Sequence, residues 1–178
     1  LISISIFALI TTSMVANFRG GETKNQLNLA AGNTVAELRK VQNMTSAGQP
    51  TRVCLSGNEI IDNCENKTCA GDCVENVPVG GWGLVFSKNF EAMALFANSE
   101  IFSTFDPAEE VVRTLPISPT GRVRVKDISS DVGAFERLEI MFQPPNDKIV
   151  FAGDNAASPN DVTITLEHMI SGATKLIK

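Results

Sequence analysis

The first eighteen residues, Leu1–Phe18, carry no charged side chain, and this run restricts the fold more than any other feature. As an α-helix the run would be about 27 Å long, close to the roughly 30 Å hydrocarbon core of a bilayer. The first charge is Arg19, and a polar, acidic sequence follows it, with a formal net charge of −5 for the whole chain. We therefore expect the N-terminal segment to lie in lipid, or in a protein assembly that replaces lipid.

Three interpretations of this uncharged run compete. A cleaved secretory signal has a basic n-region and a small-x-small cleavage site, whereas no basic residue precedes the run here and Met14-Val15-Ala16 is a poor cleavage site. The second interpretation is a simple membrane anchor. The third is an anchor that becomes the core of a polymer. We favour the third because hydroxyl residues allow close helix–helix packing, and the run contains Ser3, Ser5, Thr11, Thr12 and Ser13.

The helix is expected to continue beyond the uncharged run. Its apolar positions recur every three or four residues, which is helical periodicity, at Leu27, Ala31, Val35, Leu38, Val41 or Gln42, and Thr45. Gly48 followed by Pro50 predicts the helix end, and Gly20-Gly21 predicts a kink, a melted segment or a hinge. We predict an apolar membrane or filament-core helix over residues 1–20 and an amphipathic helix over 21–48 that packs on a sheet.

Residues 49–178 are predicted to form a single β-rich globular head. They are numerous enough for one core, and short runs of strand-forming residues alternate with turn signals. The fold class is therefore α+β, with a long N-terminal helix packed on an antiparallel sheet. The predicted strands are Arg52–Leu55, Gly83–Ser87, Ala92–Ala97, Val111–Leu115, Arg122–Lys126, Arg137–Phe142, Lys148–Phe151, Val162–His168 and Thr174–Ile177.

The four cysteines lie close together, at Cys54, Cys64, Cys69 and Cys73. No Cys-x2-Cys pair of the kind typical of zinc sites is present, so two disulfides are favoured over zinc. Four cysteines allow three connectivities, of which we prefer Cys54–Cys64 with a local Cys69–Cys73 bridge. The polar segment 58–76 has little to bury, so the bridges are expected to staple a loop. The alternative is a loop shaped for recognition or for contact between subunits.

No catalytic residue or cofactor site is predicted. The single histidine, His168, lies in a predicted strand and is expected to be solvated. No Gly-x-Ser-x-Gly, P-loop or His-Glu-x-x-His motif occurs. The single tryptophan, Trp82, is flanked by glycines and is predicted to anchor the core. The sequence thus favours a protein that is not an enzyme.

Two charged clusters are candidate binding sites. Alternation places Arg122, Arg124 and Lys126 on one strand face, where they could contact nucleic acid or a neighbouring subunit; nucleic acid is disfavoured because the chain is acidic overall. An oxygen-rich cluster could bind calcium, although an incomplete ligand pattern favours a solvated loop, so no metal site is predicted. Its members are Asn98, Ser99, Glu100, Asp106, Glu109 and Glu110.

The N-terminal third of the chain resembles type IV pilins and pseudopilins that lack their first few mature residues. The resemblance covers Leu1–Pro50, and AAGNTVAELRKVQNMTSAGQP, residues 30–50, is similar to the helix end of minor pilins of the GspH/FimT type. GGWGLVF, residues 80–86, resembles the Gly-Trp-x-Val-Phe strand of those pilins, and FQPP, residues 142–145, resembles their Phe-x-Pro segment. The family glutamate near the mature N-terminus has no counterpart in this sequence.

The resemblance implies a structural subunit of a type IV pilus or pilus-like filament. Such a subunit is held in the bacterial inner membrane before assembly, and then packs against copies of itself or other pilins in an extracellular filament on the cell surface. A type II secretion pseudopilin, a DNA-uptake minor pilin and a membrane-tethered extracytoplasmic binding domain are alternatives. The apolar side chains expected to pack in the filament core are Ile6, Phe7, Leu9, Ile10, Met14 and Val15.

Overall fold

The computed structural model describes residues 2–56, 59–64, 72–98, 111–145, 148–154 and 159–178, and their side chains except at 2–19, 53–56, 59–63 and 72. Within these ranges, one helix precedes twelve strands. The elements are α1 (Ile2–Ser46), β1 (Thr51–Ser56), β2 (Glu59–Asn63), β3 (Asp72–Asn76), β4 (Gly81–Ser87), β5 (Ala92–Asn98), β6 (Val111–Pro116), β7 (Val123–Ser130), β8 (Gly133–Phe135), β9 (Arg137–Gln143), β10 (Lys148–Gly153), β11 (Val162–His168) and β12 (Thr174–Ile177).

Helix α1 ends where the glycine and proline signals predict. Gly48 adopts a left-handed conformation with φ of 59°. Its amide donates to the Thr45 carbonyl at 3.0 Å, and the Gln49 amide donates to the Met44 carbonyl at 2.9 Å. This pair of bonds is the Schellman motif, which satisfies carbonyls that the helix leaves without a partner. The motif turns the chain out of the helix and into β1.

The Gly20-Gly21 pair does not interrupt the helix. Both residues are helical, and a Cβ atom added at either position would meet nothing within 4 Å. The sequence allowed a kink, a melted segment or a hinge at this pair, and the melted segment is wrong because both glycines are helical. No neighbouring atom requires glycine here, so the pair remains a place where the helix can bend at a lower cost than elsewhere.

The strands of the described part of the chain form three antiparallel sheets. The orders are β2-β1-β3, β10-β9-β4-β5-β6 and β12-β11-β7-β8, and we call them the cysteine sheet, the large sheet and the small sheet. All nine predicted strands are present. The sequence missed β2, β3 and β8. The expectation of a stapled polar loop over 58–76 is wrong in part, because β2 and β3 pair with the two edges of β1.

The core lies between α1, the large sheet and the small sheet, and the α+β fold class is confirmed. Helix α1 contacts strands of both sheets, β4 and β9 in the large one and β7, β11 and β12 in the small one. Buried helix residues recur along one side, at Leu27, Ala30, Thr34, Val41, Met44 and Thr45. The periodicity therefore located the packed face correctly, although Ala31, Val35 and Leu38 are only partly buried.

Trp82 is buried, as predicted, at 3 % exposure. Its indole Nε1 donates to the Gln49 carbonyl at 3.0 Å, and its amide donates to Thr45 Oγ1 at 3.2 Å. A Cβ at the next residue, Gly83, would lie 2.4 Å from a ring carbon of Phe96 and 2.8 Å from the Ile140 carbonyl oxygen. Glycine thus lets three strands approach closely beside the tryptophan that ties β4 to the end of α1.

Candidate functional site

The basic strand predicted over 122–126 carries an acid as well as its cations. Arg124 and Lys126 lie on β7, opposite β11 in the small sheet. Glu167 of β11 accepts from Arg124 Nε at 3.1 Å and Nη2 at 2.9 Å, and from Lys126 Nζ at 2.9 Å. These bonds from Lys126 and Arg124 hold the pKa of the Glu167 carboxyl below its ordinary value. One carboxylate therefore neutralises part of the charge of two cations.

The third cation, Arg122, belongs to a chain of polar contacts that ties α1 to the small sheet. Its guanidinium lies 3.8 Å from Glu22 Oε1, and Gln26 Nε2 donates to the same carboxylate at 3.0 Å. The Gln26 Oε1 atom then lies 2.9 Å from Nε2 of His168. We call Glu22, Gln26, Arg122, His168 and Ser171 the polar seam.

The seam fixes the protonation pattern of its histidine. The Ser171 amide is only a donor, and it lies 3.3 Å from His168 Nδ1, so Nδ1 accepts. Since a carboxylate accepts only, the Gln26 amide nitrogen faces Glu22 and its oxygen faces His168. The pattern therefore requires the neutral tautomer with the proton on Nε2. His168 is 5 % exposed, and the expectation that it is solvated is wrong, because α1 covers it.

The seam contains a serine and a histidine, but its geometry suits a structural link better than catalysis. Ser171 Oγ lies 3.1 Å from His168 Nδ1, in the turn that joins β11 to β12. The same oxygen also accepts from the Ala173 amide at 3.3 Å. A catalytic triad uses a carboxylate to stabilise the imidazolium that forms, whereas the third member here is the neutral amide of Gln26.

An apolar turn lies beside the seam. Met169 is 40 % exposed and Ile170 is 74 % exposed, and both follow His168 directly. The Met169 amide donates to the Arg122 carbonyl at 2.9 Å, so the turn is fixed to the start of β7. Large exposed apolar residues next to charged ones are typical of contact surfaces between proteins. The turn and the seam together form the strongest candidate contact surface among the described residues.

The cysteines form a disulfide, although not in the preferred pairing. Cys64 directly follows β2 and is bonded to Cys73 in β3, so the bridge joins the two strands that flank β1. The preferred pairs Cys54–Cys64 and Cys69–Cys73 are therefore wrong, because strand pairing rather than sequence proximity brings the sulfurs together. Cys54 lies in β1 opposite Cys73, but its side chain is not among those that the structure describes. Cys69 lies outside the described residues altogether.

The remaining sequence candidates are only partly covered by the structure. Asn98 is 1 % exposed, and its Nδ2 lies 3.4 Å from Met141 Sδ. The other members of the oxygen-rich cluster, at 99, 100, 106, 109 and 110, lie outside the described residues. Within the described part of the chain, no group of three or more His, Cys, Asp or Glu side chains is placed to hold a metal ion.

The side chains expected in the filament core also lie outside the described set: Ile6, Phe7, Leu9, Ile10, Met14 and Val15. Among the residues whose side chains are described, no helix is long and apolar enough to cross a membrane. The side chains of the uncharged run lie outside that set.

Sequence reasoning missed Gln26, Glu167 and His168 as members of one surface. Gln26 and His168 are 142 residues apart, so no spacing rule connects them. Glu167 gave a weak signal of a contact, because a charged side chain within a predicted strand usually interacts with a side chain on the neighbouring strand. Comparison of the chain with protein-family models, with curated proteins and with solved structures found no match.

Proposed function

We propose that this protein is a structural subunit of a type IV pilus or a pilus-like filament. The supporting observation is the length of α1. The helix spans 45 residues, about 68 Å at 1.5 Å per residue, whereas its buried side chains in the described part begin at Leu27. Packing on the sheets thus explains the burial of the second half of the helix, but not the apolar sequence of the first half.

The first half then needs a different environment. Residues 2–19 extend the helix backbone by about 27 Å, and the sequence of this part is uncharged up to Arg19. An apolar helix that continues a domain-packed helix can be buried by acyl chains before assembly and by neighbouring helices afterwards. In the proposed filament, α1 therefore has an apolar half that packs between subunits and an amphipathic half that holds the head.

Packing of the apolar helix halves would favour assembly. Burial of a few hundred Å² per helix at roughly 25 cal/mol per Å² gives several kcal/mol per contact before association costs. Every subunit would contact several neighbours, so modest contacts add up along the fibre. The bacterial inner membrane would hold the subunit beforehand, and the head would face outward on the cell surface.

Contact with other subunits is a better role for the basic strand than contact with nucleic acid. Glu22 and Glu167 lie within ion-pair distance of its three cations, which lowers the positive potential that phosphate binding needs. The exposed turn at Met169 and Ile170 adds apolar surface, as expected of an interface between proteins.

The test is substitution of a charge into the uncharged run. Ile6→Asp should abolish filaments, because an ionised carboxylate among packed apolar helices costs several kcal/mol per subunit. The matched control Ile6→Leu keeps the volume and the apolar character, and should form filaments. Filaments sheared from cells would be examined by electron microscopy and their protein identified by mass spectrometry. Thermal unfolding of the head would be compared in both variants.

The outcomes separate the proposal from its alternatives. Normal filaments from Ile6→Asp with this chain as a component would contradict it. A wild-type chain that is absent from sheared filaments but present in membranes would favour the tethered binding domain. A trace amount in filaments would favour a minor pilin or pseudopilin over the main building block.

A further inference from the structure

A basic groove lies at the opposite end of the head from the polar seam. It has a volume of about 820 Å³ and is lined by residues from the last turns of α1, the start of β1 and strands β4, β5 and β6. Its polar lining includes Arg39, Lys40, Asn43, Thr51 and Arg113. We refer to it as the basic groove.

The charged side chains that line the groove are all positive. None of the residues that line it is acidic. Lys40 lies 3.5 Å from Glu37 on its own helix, whereas Arg39 and Arg113 have no ion-pair partner among the described residues. The three cations of the basic strand differ, because each of them lies within ion-pair distance of a carboxylate. Arg39 and Lys40 lie on α1 before its last turn, whereas Arg113 comes from β6, so cations from two separate elements line the groove.

A buried hydroxyl without a partner gives an independent observation. Thr51 lines the groove and is 5 % exposed, and its Oγ1 atom is buried with no hydrogen-bond partner in the described part of the chain. A buried polar group normally has such a partner, so this hydroxyl marks a place where a polar group of a ligand would be bound favourably after a rotation of the side chain.

The floor of the groove is apolar. Trp82, Met44, Leu95 and Val112 all line it, and each is less than one-tenth exposed. Small-molecule sites commonly combine an apolar wall with a few polar groups that set orientation. Guanidinium groups bind carboxylates and phosphates through two parallel hydrogen bonds. A suitable ligand therefore has an oxyanion at one end and an apolar body at the other.

We propose that the basic groove binds a small oxyanion, a phosphate monoester or a carboxylate, carried on an apolar body. Arg113 and Arg39 bind the anionic group, Thr51 donates to it, and the apolar body lies on the floor beside Trp82. The site is independent of filament formation, since it needs only the head and the end of α1.

Trp82 is a direct reporter, because it lines the groove and is the single tryptophan of a chain without tyrosine. The full chain in dodecyl maltoside micelles would be titrated with phenyl phosphate, benzoate, inorganic phosphate and benzyl alcohol while its fluorescence is followed. Phenyl phosphate or benzoate should give a saturable change with a Kd below that of inorganic phosphate. Benzyl alcohol, which lacks the anion, should give none.

Substitutions in the groove test which residues bind the anionic group of the ligand. Arg113→Gln should raise the Kd for the aromatic anion by about tenfold or more, as loss of a charge-assisted bond predicts, and Thr51→Val should raise it about threefold. Lys148→Gln is the matched control, since β10 and β6 are the two opposite edges of the large sheet, and its Kd should equal that of the wild type. Melting temperatures would verify that all variants fold.

Three results would overturn the proposal. They are the absence of a saturable change with either aromatic anion, equal Kd values for Arg113→Gln and Lys148→Gln, and equal binding of benzyl alcohol and phenyl phosphate. Equal binding of inorganic phosphate and phenyl phosphate would contradict the role of the apolar floor. Since filaments are not measured, failure of this test would leave the proposed filament role unchanged.

Discussion

The part of α1 that packs on the head, residues 22–46, is attached mainly by apolar contacts at its C-terminal end and by polar contacts at its N-terminal end. At the C-terminal end, Val41 and Met44 pack into the core beside Trp82, which also hydrogen-bonds the turn that ends the helix. At the other end, Glu22 and Gln26 contact Arg122 and His168 through polar atoms. The first attachment mainly removes apolar area from water, whereas the second adds polar contacts to the burial of Leu27 and Ala30.

The difference predicts where the molecule is rigid. Apolar burial contributes about 25 cal/mol per Å² and does not depend on the protonation of side chains, whereas a net hydrogen bond contributes about 1 kcal/mol and exposed ion pairs are screened by salt. We therefore expect the apolar end to hold the helix on the sheets and the polar end to open first. An opening at the polar seam would change the angle at which the uncharged half of α1 leaves the head.

The largest effect is expected from truncation at the apolar end. Trp82→Ala removes a buried indole and leaves a cavity, which should lower the free energy of unfolding by about 3–5 kcal/mol. For a domain of this size the melting temperature should fall by about 6–20 °C. Trp82→Phe is the control, because it keeps most of the ring but loses the bond to the Gln49 carbonyl, and it should cost far less. Similar melting temperatures for Trp82→Ala and the wild type would refute the assignment of this end as the main attachment.

The same two ends show what sequence can predict. The packed face of α1 and its end at Gly48 followed from periodicity and a stop signal, because both depend on residues within a few positions of each other. The nine predicted strands followed in the same way from alternation and turn residues. Contacts such as Gln26 to His168 depend instead on the fold as a whole, and the burial of His168 is decided by a helix far away in sequence.

The cysteines also show that sequence predicts local features better than contacts that depend on the whole fold. Composition correctly predicted a disulfide, because an even set of cysteines without metal spacing favours one. The pairing depended on β2 and β3, which the sequence did not reveal, and these strands bring Cys64 to Cys73 rather than to Cys54. The basic groove was also invisible, since Arg39 and Arg113 meet only after β6 and α1 are placed.

An intermediate effect is expected at the polar seam. Gln26→Ala and His168→Ala should each destabilise the protein, and the double variant should lose less than the sum of the two, with a coupling of about 0.5–1.5 kcal/mol. Urea unfolding of the four proteins would measure it. A parallel cycle that combines His168→Ala with Lys148→Ala serves as the control and should be additive. Additivity in the Gln26 cycle as well would mean that the seam contributes nothing to holding the helix.

The smallest effect is expected at Glu167, beside the seam, and it depends on pH. Lys126 and Arg124 lower the pKa of this carboxyl in the folded protein below its ordinary value of 4.5. A carboxyl with a lowered folded pKa contributes stability above the unfolded pKa, and this contribution is lost as the pH falls through the folded pKa. Glu167→Gln should therefore be less stable than the wild type at pH 7, and this difference should shrink as the pH falls through the folded pKa.

The Glu167 variant separates charge from packing, because glutamine has nearly the shape of a protonated glutamate. Urea unfolding at pH 7 and pH 3 gives both values, and 1 M salt at pH 7 should reduce the difference by screening. A difference that is as large at pH 3 as at pH 7 would show that shape rather than charge matters at this position. A difference that is smaller at pH 3 would place this part of the head, unlike the Trp82 end, under the control of protonation, as the comparison of the two ends requires.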